Sequence, residues 1–450
     1  MLTVKNLPID FEPRPYQARL FHEFFKPDPI KRAMIIWSRR MGKDKSCWGI
    51  LIQKAFQRKG NYFVIFPTAR QGRKAIWLGI GGDGVSFLDH IPENLIDKVN
   101  NTEMRIHLIN KSVIQIIGAA NYNYAMGTNP VGIVYSEYAL QTPLCYTYLY
   151  PVVVENGGWL IINSTPRGHN HCYRLFNQVI KNPDWYVSYE TVASAVNSEG
   201  NHIISPKEIE EARNSGMSDE LVSQEFFCNW ESAIENAYFA KYLAHSRDNK
   251  RIKLFPIPDK PIYTFWDIGV SDLTTIWLCA FSEEHIYLIN YYQNSRRGLE
   301  FYINWLKNYQ NQHNLILGQH FAPHDMAVQS FSTGERRVDR ARSLGINFKI
   351  VPKPKVKMDS IEISRGIFPL YIFHERNTQA GIDALMHYHA RTKPDGGETG
   401  PEHDWSSHAA DSFLLIGQAF SQGMLPIRRL QGQKITLNRG IEDSIAQFYS

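Results

Sequence analysis

Five short apolar runs alternate with helix-like stretches in the first part of this 450-residue chain. They are AMIIW (33–37), YFVIF (62–66), SVIQIIG (112–118), GIVYS (132–136) and WLIINS (159–164). Strands that are apolar along their whole length are buried on both faces, and parallel strands need helical crossovers between them. The pattern therefore predicts an α/β domain with a largely parallel sheet between two layers of helices.

A second group of strands follows the Pro-punctuated segment LFPIPDKPIY (254–263). The runs YTFWDIG, TTIWLCAF and HIYLINYYQ read as strands, and the intervening SEE predicts a hairpin between the last two. We therefore predict a first domain at 1–200, a helical linker at 201–255, a second α/β domain at 256–424 and a tail at 425–450.

The composition is that of an ordinary globular protein, with 43% hydrophobic and 21% charged residues. No stretch reaches the roughly 18 apolar residues of a membrane span, and the N-terminus lacks the layout of a signal peptide. The five cysteines are scattered without a C-x-x-C pair, which argues against disulfides and against a cysteine zinc site. These features predict a protein of a reducing cytoplasm.

The first apolar run leads into SRRMGKDKS (38–46) and then into a helix-like stretch. A phosphate-binding P-loop reads G-x-x-x-x-G-K-[ST] at such a strand-to-helix turn. Gly42 and Lys43 are in place, but Trp37 replaces the first glycine and Asp44 replaces the hydroxyl residue. Because a Gly-Lys pair recurs by chance, the prediction of a nucleotide site depends on the other parts that the chain supplies.

Two more strand ends and one upstream segment supply such parts. The run VGIVYSEYAL ends in Ser136 and Glu137, where a magnesium ligand and a water-polarising carboxylate are expected. The run IINSTPRG places Thr165 where a hydroxyl can sense a γ-phosphate, and PRPYQ places Gln17 where helicase-like ATPases grip adenine. Each has a structural alternative, such as a capped strand end for Glu137 or a plain turn for STPRG.

In this order, SRRMGKD, YFVIFPTARQGRKAIW (62–77), VYSEYAL and STPRGHNHCYRLF resemble the large terminase subunits of tailed bacteriophages. Those proteins package viral DNA with an N-terminal ATPase and cut it with a C-terminal nuclease. Their P-loop often lacks the first glycine and carries an arginine before the Gly-Lys pair. The resemblance spans roughly residues 13–420 and implies a RecA/ASCE-like P-loop domain, with ATP and Mg²⁺ as cofactors. It implies Glu137 and Lys43 as catalytic residues, Asp44 as a metal ligand, and nucleotide contacts by Gln17, Arg39, Arg40, Gly42, Lys43, Asp44 and Thr165.

For the second domain, the resemblance implies an RNase H-like nuclease. Such a site holds two metal ions about 4 Å apart with carboxylates from separate strands and a helix. Asp267 in YTFWDIGVSDLTT, Asp325 in HFAPHDMAVQ and Asp411 in SHAADSF match the family's D-x-G-x-x-D, P-H-D and S-H-x-x-D motifs. On that resemblance these three aspartates are catalytic ligands of Mg²⁺ or Mn²⁺, which prefer oxygen donors. The roles of Asp272, Asp404 and His408 stay open.

A basic stretch, residues 335–357, lies between the second and third of these motifs. It contains eight Lys and Arg residues, namely Arg336, Arg337, Arg340, Arg342, Lys349, Lys353, Lys355 and Lys357. A solvated surface explains such a stretch as well as a DNA contact does. Beside a nuclease site, the same charges predict binding to the phosphate backbone without base preference.

The resemblance implies ATP-driven translocation of double-stranded DNA into a procapsid and metal-dependent endonucleolytic cutting of concatemeric genomes. The resemblance implies viral DNA, the portal protein of the procapsid, a small terminase subunit and further copies of the chain, in a pentameric ring, as partners in the host cytoplasm. A helicase-nuclease of DNA repair is the alternative, and it needs a second RecA-like domain. A DNA-binding protein with an inactive P-loop is the third reading.

The residue pair Asp44 and Ser136 suggests an exchange of ligand types. The strand end lacks its usual first carboxylate, while the P-loop has gained one. We hypothesise that Asp44 holds the magnesium ion and Ser136 supplies the hydroxyl, so that the charge of the site is unchanged. Ser46 is the alternative ligand if the loop is shifted, and a plain N-terminal helix cap is the alternative role of Asp44.

Overall fold

A computed structural model describes residues 12–230, 236–269, 273–327, 336–352, 354, 356–392 and 398–427. The chain forms two compact units, Met1–Ala233 and Ile234–Ser450. The segment 201–255, predicted as one linker, is divided between the units. Its first two helices pack on the first unit through a small apolar cluster, and its third helix belongs to the second unit. The tail from 428 onward lies outside the described residues.

The first unit alternates strands and helices along the described chain. Its strands are β1 (Arg32–Trp37), β2 (Asn61–Phe66), β3 (Ile96–Asn100), β4 (Arg105–Leu108), β5 (Val113–Gly118), β6 (Pro130–Ser136), β7 (Trp159–Ser164) and β8 (Tyr186–Glu190). Its helices are α1 (Pro15–Phe25), α2 (Lys43–Gln57), α3 (Ala69–Gly72), α4 (Tyr122–Met126), α5 (Pro143–Glu155), α6 (His171–Val179), α7 (Pro206–Asn214) and α8 (Asp219–Phe227).

These eight strands form one sheet in the order β3-β4-β5-β2-β6-β7-β1-β8. The six strands from β5 to β8 are parallel, and β3 and β4 join antiparallel at one edge. Both faces are buried: on β1, Ile35 and Trp37 enter one apolar cluster while Met34 and Ile36 enter the other. The parallel sheet predicted from the five apolar runs is therefore confirmed.

The strand order brings three strand ends together. β7 lies between β1 and β6, and Ser136 of β6 is in register with Asn163 of β7. Since these strands are parallel, the segments that follow them leave the sheet at the same edge. Ligands of open α/β sheets bind outside the carboxyl ends of the strands. The P-loop, Glu137 and Thr165 therefore all follow strands at the edge where a ligand is expected.

The second unit is built around a mixed sheet. Its strands are β9 (Ile252–Lys253), β10 (Ile262–Asp267), β11 (Leu273–Phe281), β12 (Ile286–Ser295), β13 (Leu317–Pro323), β14 (Phe348–Val351), β15 (Tyr371–His374), β16 (Ala390–Thr392) and β17 (Glu398–Pro401). Its helices are α9 (Ala240–Asp248), α10 (Leu299–His313), α11 (Arg337–Ser343), α12 (Lys357–Gly366), α13 (Gln379–His387) and α14 (Ser407–Ser421).

Seven of these strands pair in the order β14-β13-β10-β11-β12-β15-β9, and β16 and β17 form a separate hairpin. β11 is antiparallel to both of its neighbours, β10 and β12, while the remaining pairs of this sheet are parallel. The predicted hairpin between β11 and β12 closes through a bond from Ser282 N–H to the His285 carbonyl. With α/β sheets in both units, the fold class predicted from the sequence is confirmed.

The apolar helix α14 packs across β10 and β11. The indole Nε1 of Trp277, on β11, donates to the carbonyl oxygen of Ala409 at 3.0 Å, which fixes the start of the helix over the sheet. This packing brings the N-terminal turns of α14 to the end of β10.

The fold bears on the helicase alternative and on the expectation about membrane spans. The helicase alternative needs a second RecA-like domain, whereas the main sheet in the described part of the second unit is mixed. Among the described residues, no helix combines the length and the apolar character that crossing a bilayer requires.

Candidate functional site

The loop between β1 and α2 is shaped by helix α1. Tyr16 and Gln17 both donate to the carbonyl oxygen of Met41, from the phenol at 2.8 Å and the side-chain amide at 2.9 Å. Gly42 follows in the left-handed region, at φ +75°, and a Cβ there would lie 2.5 Å from Gln17 Nε2. Position 42 therefore requires glycine. The predicted adenine contact Gln17 is only 4% exposed, and its amide holds the loop.

Lys43 reaches from the start of α2 across the sheet edge. Its ammonium donates to the carbonyl oxygens of Trp37 at 3.0 Å and Ser38 at 3.2 Å, and to Thr165 Oγ1 at 3.0 Å. Three acceptors use the three donors of a buried ammonium. The structure thus brings Lys43 and Thr165 together at the site where the sequence predicts phosphates.

Asp44 connects α2 with the ends of two strands. Its Oδ1 accepts hydrogen bonds from Ser136 Oγ at 2.5 Å and from Asn163 Nδ2 at 3.1 Å. Burial raises the pKa of Asp44, and the nearby Glu137 raises it further, while the Ser136 and Asn163 hydrogen bonds and Lys43 lower it. Ser136 and Asp44 are therefore in direct contact, as the exchange hypothesis requires.

The alternative ligand Ser46 is already used within the helix. Its hydroxyl donates to the carbonyl oxygen of Gly42 at 3.0 Å, and the residue is fully buried. Asp44, in contrast, bonds to residues of β6 and β7, which a purely local helix cap does not require. The geometry favours Asp44 over Ser46 as the residue that faces an ion.

Glu137 follows the last residue of β6, Ser136. Its backbone is in the left-handed region, at φ +55°, and its N–H donates to Asn163 Oδ1 at 3.3 Å. Within the described part of the chain, the buried Oε2 of Glu137 has no hydrogen-bond partner. A buried acceptor without a partner costs free energy, so this oxygen needs a water molecule or a ligand beside it.

Arg39 and Arg167 converge on one acid from α8. The guanidinium Nη1 of Arg167 lies 2.5 Å from Glu225 Oε1, and that of Arg39 lies 3.5 Å from Glu225 Oε2. Burial raises the pKa of Glu225, but the charges of Arg167 and Arg39 outweigh it and hold the pKa below its usual range. The side chain of Arg39 is 67% exposed, and Arg40 is exposed with φ +65°, so both predicted phosphate contacts are accessible.

In the second unit, α14 brings two of the three predicted aspartates together. His408 Nδ1 lies 3.0 Å from Asp267 Oδ2, and Lys357 Nζ lies 2.6 Å from Asp411 Oδ1. Burial raises the pKa of Asp411, and the charge of Asp267 also raises it, whereas Lys357 lowers it. Asp267 and Asp411 are thus close enough to repel each other, and His408 and Lys357 partly compensate.

The third aspartate, Asp325, follows β13, the parallel neighbour of β10, and its side chain is exposed. Within the described ranges, the carboxylates of Asp267, Asp325 and Asp411 do not all lie within 4.8 Å of one another. The shared role of the three therefore stays a prediction. Asp272 lies outside the described residues.

Much of the basic stretch is paired with acids. On α11, Asp339 accepts from Arg336 at 2.7 Å and from Arg342 at 3.0 Å, while Arg340 lies 3.8 Å from Glu300. Lys353 and Lys355 lie outside the described residues. Paired charges on an exposed helix agree with a solvated surface, so this geometry by itself does not favour DNA contact.

Three residues of the first site were not predicted from the sequence: Asn163, Arg167 and Glu225. Asn163 could have been predicted, because it is a polar side chain inside the apolar run WLIINS, and a polar side chain in a buried strand needs a hydrogen-bond partner. Arg167 stood inside the quoted STPRG motif. Glu225 carried no comparable signal, since it belongs to a polar helical stretch far along the chain.

Exchanging Asp44 and Ser136 tests whether they share one role. Asp44→Thr should slow magnesium-dependent ATP hydrolysis by roughly 100-fold, the loss typical of removing one charge-stabilising group. Adding Ser136→Asp should restore part of the rate, measured as phosphate release, because the charge returns on the strand side. Ser46→Ala is the matched control and should leave the rate nearly unchanged. Full activity in Asp44→Ala would return Asp44 to the role of a helix cap.

The raised pKa of Asp44 makes the site sensitive to pH. A metal ion needs the carboxylate, so lowering the pH from about 8 to about 4, the usual pKa of an aspartate, should weaken magnesium-dependent nucleotide binding more in wild type than in Asp44→Asn. A raised pKa means that, without metal, the folded protein holds the neutral form of Asp44 more readily than the unfolded chain does. The contribution of Asp44 to the free energy of unfolding is therefore lost as the pH rises through the raised pKa.

Asp44→Asn should therefore raise the thermal unfolding midpoint at the higher pH, and the gain should shrink at the lower pH. Differential scanning fluorimetry in a metal chelator measures both midpoints. The same gain at both pH values would contradict a titrating Asp44.

No family model matches the sequence, and no curated protein matches it. Solved structures do match. The large terminase of a thermophilic bacteriophage is 12% identical over 91% of this chain and 100% of that chain, with a TM-score of 0.41. The large terminase ATPase domain of Thermus phage P74-26 is 16% identical over 49% of this chain and 95% of that chain, with a TM-score of 0.37.

The large terminase nuclease domain of bacteriophage SPP1, with bound Mn, is 16% identical over 37% of this chain and 88% of that chain, with a TM-score of 0.27. These three solved structures are of phage large terminases or their domains, the family that the order of motifs resembles.

Proposed function

We propose that this chain is the large subunit of a viral DNA-packaging terminase. Its first unit hydrolyses ATP to move double-stranded DNA into a procapsid, and its second unit cuts concatemeric genome DNA with divalent metal ions. The observation that carries the proposal is the contact of Asp44 with Ser136 beside Lys43. Next to it, Glu137 has a buried oxygen without a hydrogen-bond partner among the described residues. A P-loop that had lost its function would have no need to keep these groups together.

In the ATPase, the loop before α2 and the helix N-terminus hold the phosphates through backbone N–H groups. On nucleotide binding, Lys43 would exchange one of its three protein acceptors for a β/γ oxygen, and the hydroxyl of Thr165 is a further donor. Arg39 is accessible from solvent beside the loop. Asp44 would hold Mg²⁺, which supplies charge neutralisation at the phosphates when bound. Ser136 and Asn163 orient the Asp44 carboxylate through their hydrogen bonds.

Glu137 is the residue that activates the attacking water. Its Oε2 is buried, has no partner among the described residues and follows a strand at the ligand edge of the sheet. A water that donates to this oxygen is polarised for attack on the γ-phosphate. The left-handed backbone of Glu137 is a local strain of the kind that active sites keep.

In the nuclease, Asp267 and Asp411 supply carboxylate oxygens from a strand end and from a helix. Asp325, from the neighbouring strand end, is the third proposed ligand. Divalent ions at such a site provide an activated water and stabilise the leaving oxygen when bound. His408 orients Asp267 through its Nδ1, and Lys357 neutralises Asp411 in the metal-free protein, where a cation is expected.

The partners are proposed from the motif resemblance: viral double-stranded DNA, the portal protein, a small terminase subunit and further copies of this chain in a ring on the portal, in the host cytoplasm. DNA contact by the basic stretch is proposed on the resemblance alone, and Arg336 and Arg342 would have to exchange their ion pairs with Asp339 for DNA phosphates.

Replacing the proposed base should separate binding from hydrolysis. Glu137→Gln should keep affinity for a fluorescent ATP analogue and slow phosphate release by roughly 100-fold or more, because the amide cannot accept the proton of the water. Lys43→Ala should weaken binding and hydrolysis together. Normal turnover in Glu137→Gln would remove Glu137 as the base.

Replacing the acids of the second unit should abolish cutting and leave the ATPase intact. Asp267→Asn and Asp411→Asn should each reduce manganese- or magnesium-dependent cleavage of plasmid DNA to background, because each removes one metal-binding carboxylate. Asp259→Asn, at an exposed loop position, is the matched control and should cut normally. Persistent cutting by both variants would overturn the proposed nuclease site, whereas a parallel loss of ATPase would indicate misfolding.

A further inference from the structure

A group of two histidines and one aspartate contains none of the proposed ligands Asp267, Asp325 and Asp411. His387 ends α13, His389 stands just before β16, and Asp404 precedes α14. One potential ligand atom from each residue lies within 4.8 Å of the other two. We propose that His387, His389 and Asp404 bind a divalent first-row transition-metal ion, such as Zn²⁺ or Mn²⁺, that braces the start of α14.

The ring of His389 is held with one nitrogen available. Its Nδ1 donates to the carbonyl oxygen of His387 at 2.7 Å, since a carbonyl oxygen only accepts. In the neutral ring this fixes the proton on Nδ1 and leaves a lone pair on Nε2. Histidine ligands in metalloproteins are oriented by a bond of this kind from the other nitrogen. The backbone is held too, because the His389 carbonyl accepts from Glu402 N–H at 2.9 Å.

One ring nitrogen of His387 lacks a hydrogen-bond partner among the described residues. Its Nε2 lies 3.0 Å from Asp404 Oδ2, while its buried Nδ1 has no hydrogen-bond partner in the described part of the chain. With the proton on Nε2, the buried Nδ1 lone pair is unsatisfied. With the proton on Nδ1, a buried donor is unsatisfied and two lone pairs, on Nε2 and on Asp404 Oδ2, face each other across 3.0 Å. A cation bound between Nε2 and Oδ2 removes this lone-pair repulsion, while the Nδ1 proton still needs an acceptor.

Asp404 presents one oxygen to this group. Its Oδ1 accepts from the N–H of Ser406 at 2.8 Å and from the Ser406 hydroxyl at 2.6 Å, so Oδ2 is the oxygen directed at His387. Two ligand atoms that sit about 2.1 Å from one ion at a right angle are about 3.0 Å apart, close to the observed spacing of Nε2 and Oδ2. The two ligand atoms are thus already spaced for one ion.

The ligand types select the metal. Imidazole nitrogen binds Zn²⁺, Mn²⁺, Co²⁺ and Fe²⁺ in preference to Mg²⁺, which favours oxygen donors. The proposed nuclease ligands Asp267, Asp325 and Asp411 are all oxygen donors and suit Mg²⁺ or Mn²⁺. A large excess of Mg²⁺ should therefore leave the histidine-containing site accessible to a transition metal.

The three ligands come from three segments: the end of α13, the base of the β16–β17 hairpin and the turn before α14. An ion among them would link these segments at the N-terminal end of the helix that carries His408 and Asp411. Asp404 is therefore a positioning residue for α14, and it does not act as a ligand of the nuclease ions.

Cobalt binding tests the proposal directly. The protein is the Asp267→Asn, Asp411→Asn double variant, which keeps the proposed site and weakens the carboxylate site. Titration with Co²⁺ in excess Mg²⁺, followed by visible absorption and calorimetry, should show one Co²⁺ bound per chain, with Zn²⁺ displacing it. Adding His389→Ala or Asp404→Asn should weaken this binding by at least roughly tenfold, one ligand's contribution. His313→Ala, at an exposed helix end, should bind as the parent does.

Two results would overturn the proposal. One is the absence of stoichiometric Co²⁺ binding by the double variant, which contains all three ligands and does not depend on the folding of further variants. The other is unchanged binding in His389→Ala. Circular dichroism identifies a variant that loses Co²⁺ binding because it is unfolded. In that case, Co²⁺ binding by the Asp267→Asn, Asp411→Asn double variant is the result that tests the proposal.

Discussion

The half-buried carboxylate of Asp44 holds the first unit's site together. Asp44 accepts from Ser136 and Asn163, so one side chain links the first turn of α2 to the ends of β6 and β7. Lys43, the preceding residue, bonds to the β1 end and to Thr165 in the same way. Two consecutive residues thus connect a helix to three parallel strands. Glu137, whose Oε2 has no hydrogen-bond partner among the described residues, follows Ser136 directly at the end of β6.

In the second unit, electrostatic interactions between two acids, a histidine and a lysine define the candidate site. Two acids, Asp267 and Asp411, lie close enough for each charge to raise the cost of the other, and a histidine and a lysine reduce that cost. Packing of α14 across the sheet, fixed by the Trp277 to Ala409 bond, holds the acids there despite their repulsion. Like charges that are kept together at the expense of stability are typical of metal sites.

The sequence predicts the parts of this protein that have strong local patterns. The apolar runs that became β1, β2, β5, β6 and β7 are buried on both faces, whereas β8 and the β3–β4 hairpin escaped prediction because they are polar or half-exposed at the sheet edges.

The candidate sites follow the same rule. Chain order predicts that Lys43, Thr165 and Asp44 lie near each other, because parallel strands end at one edge. The partners of side chains far apart in sequence could not be predicted. Nothing in the sequence shows that the Gln17 amide holds the Met41 carbonyl, or that Glu225 would pair with both Arg39 and Arg167.

The contact between Asp44 and Ser136 also restricts how such a site can arise. A carboxylate at both positions would place two negative charges side by side, next to Glu137, and a hydroxyl at both would leave the proposed ion without a charged ligand there. An ancestor with a hydroxyl residue at position 44 and a carboxylate at position 136 would change one position first. Its intermediate would carry either two carboxylates or two hydroxyls and would be impaired in either case. The two positions are expected to change together across related sequences, and a lineage that carries the exchanged pair should rarely revert at one position alone.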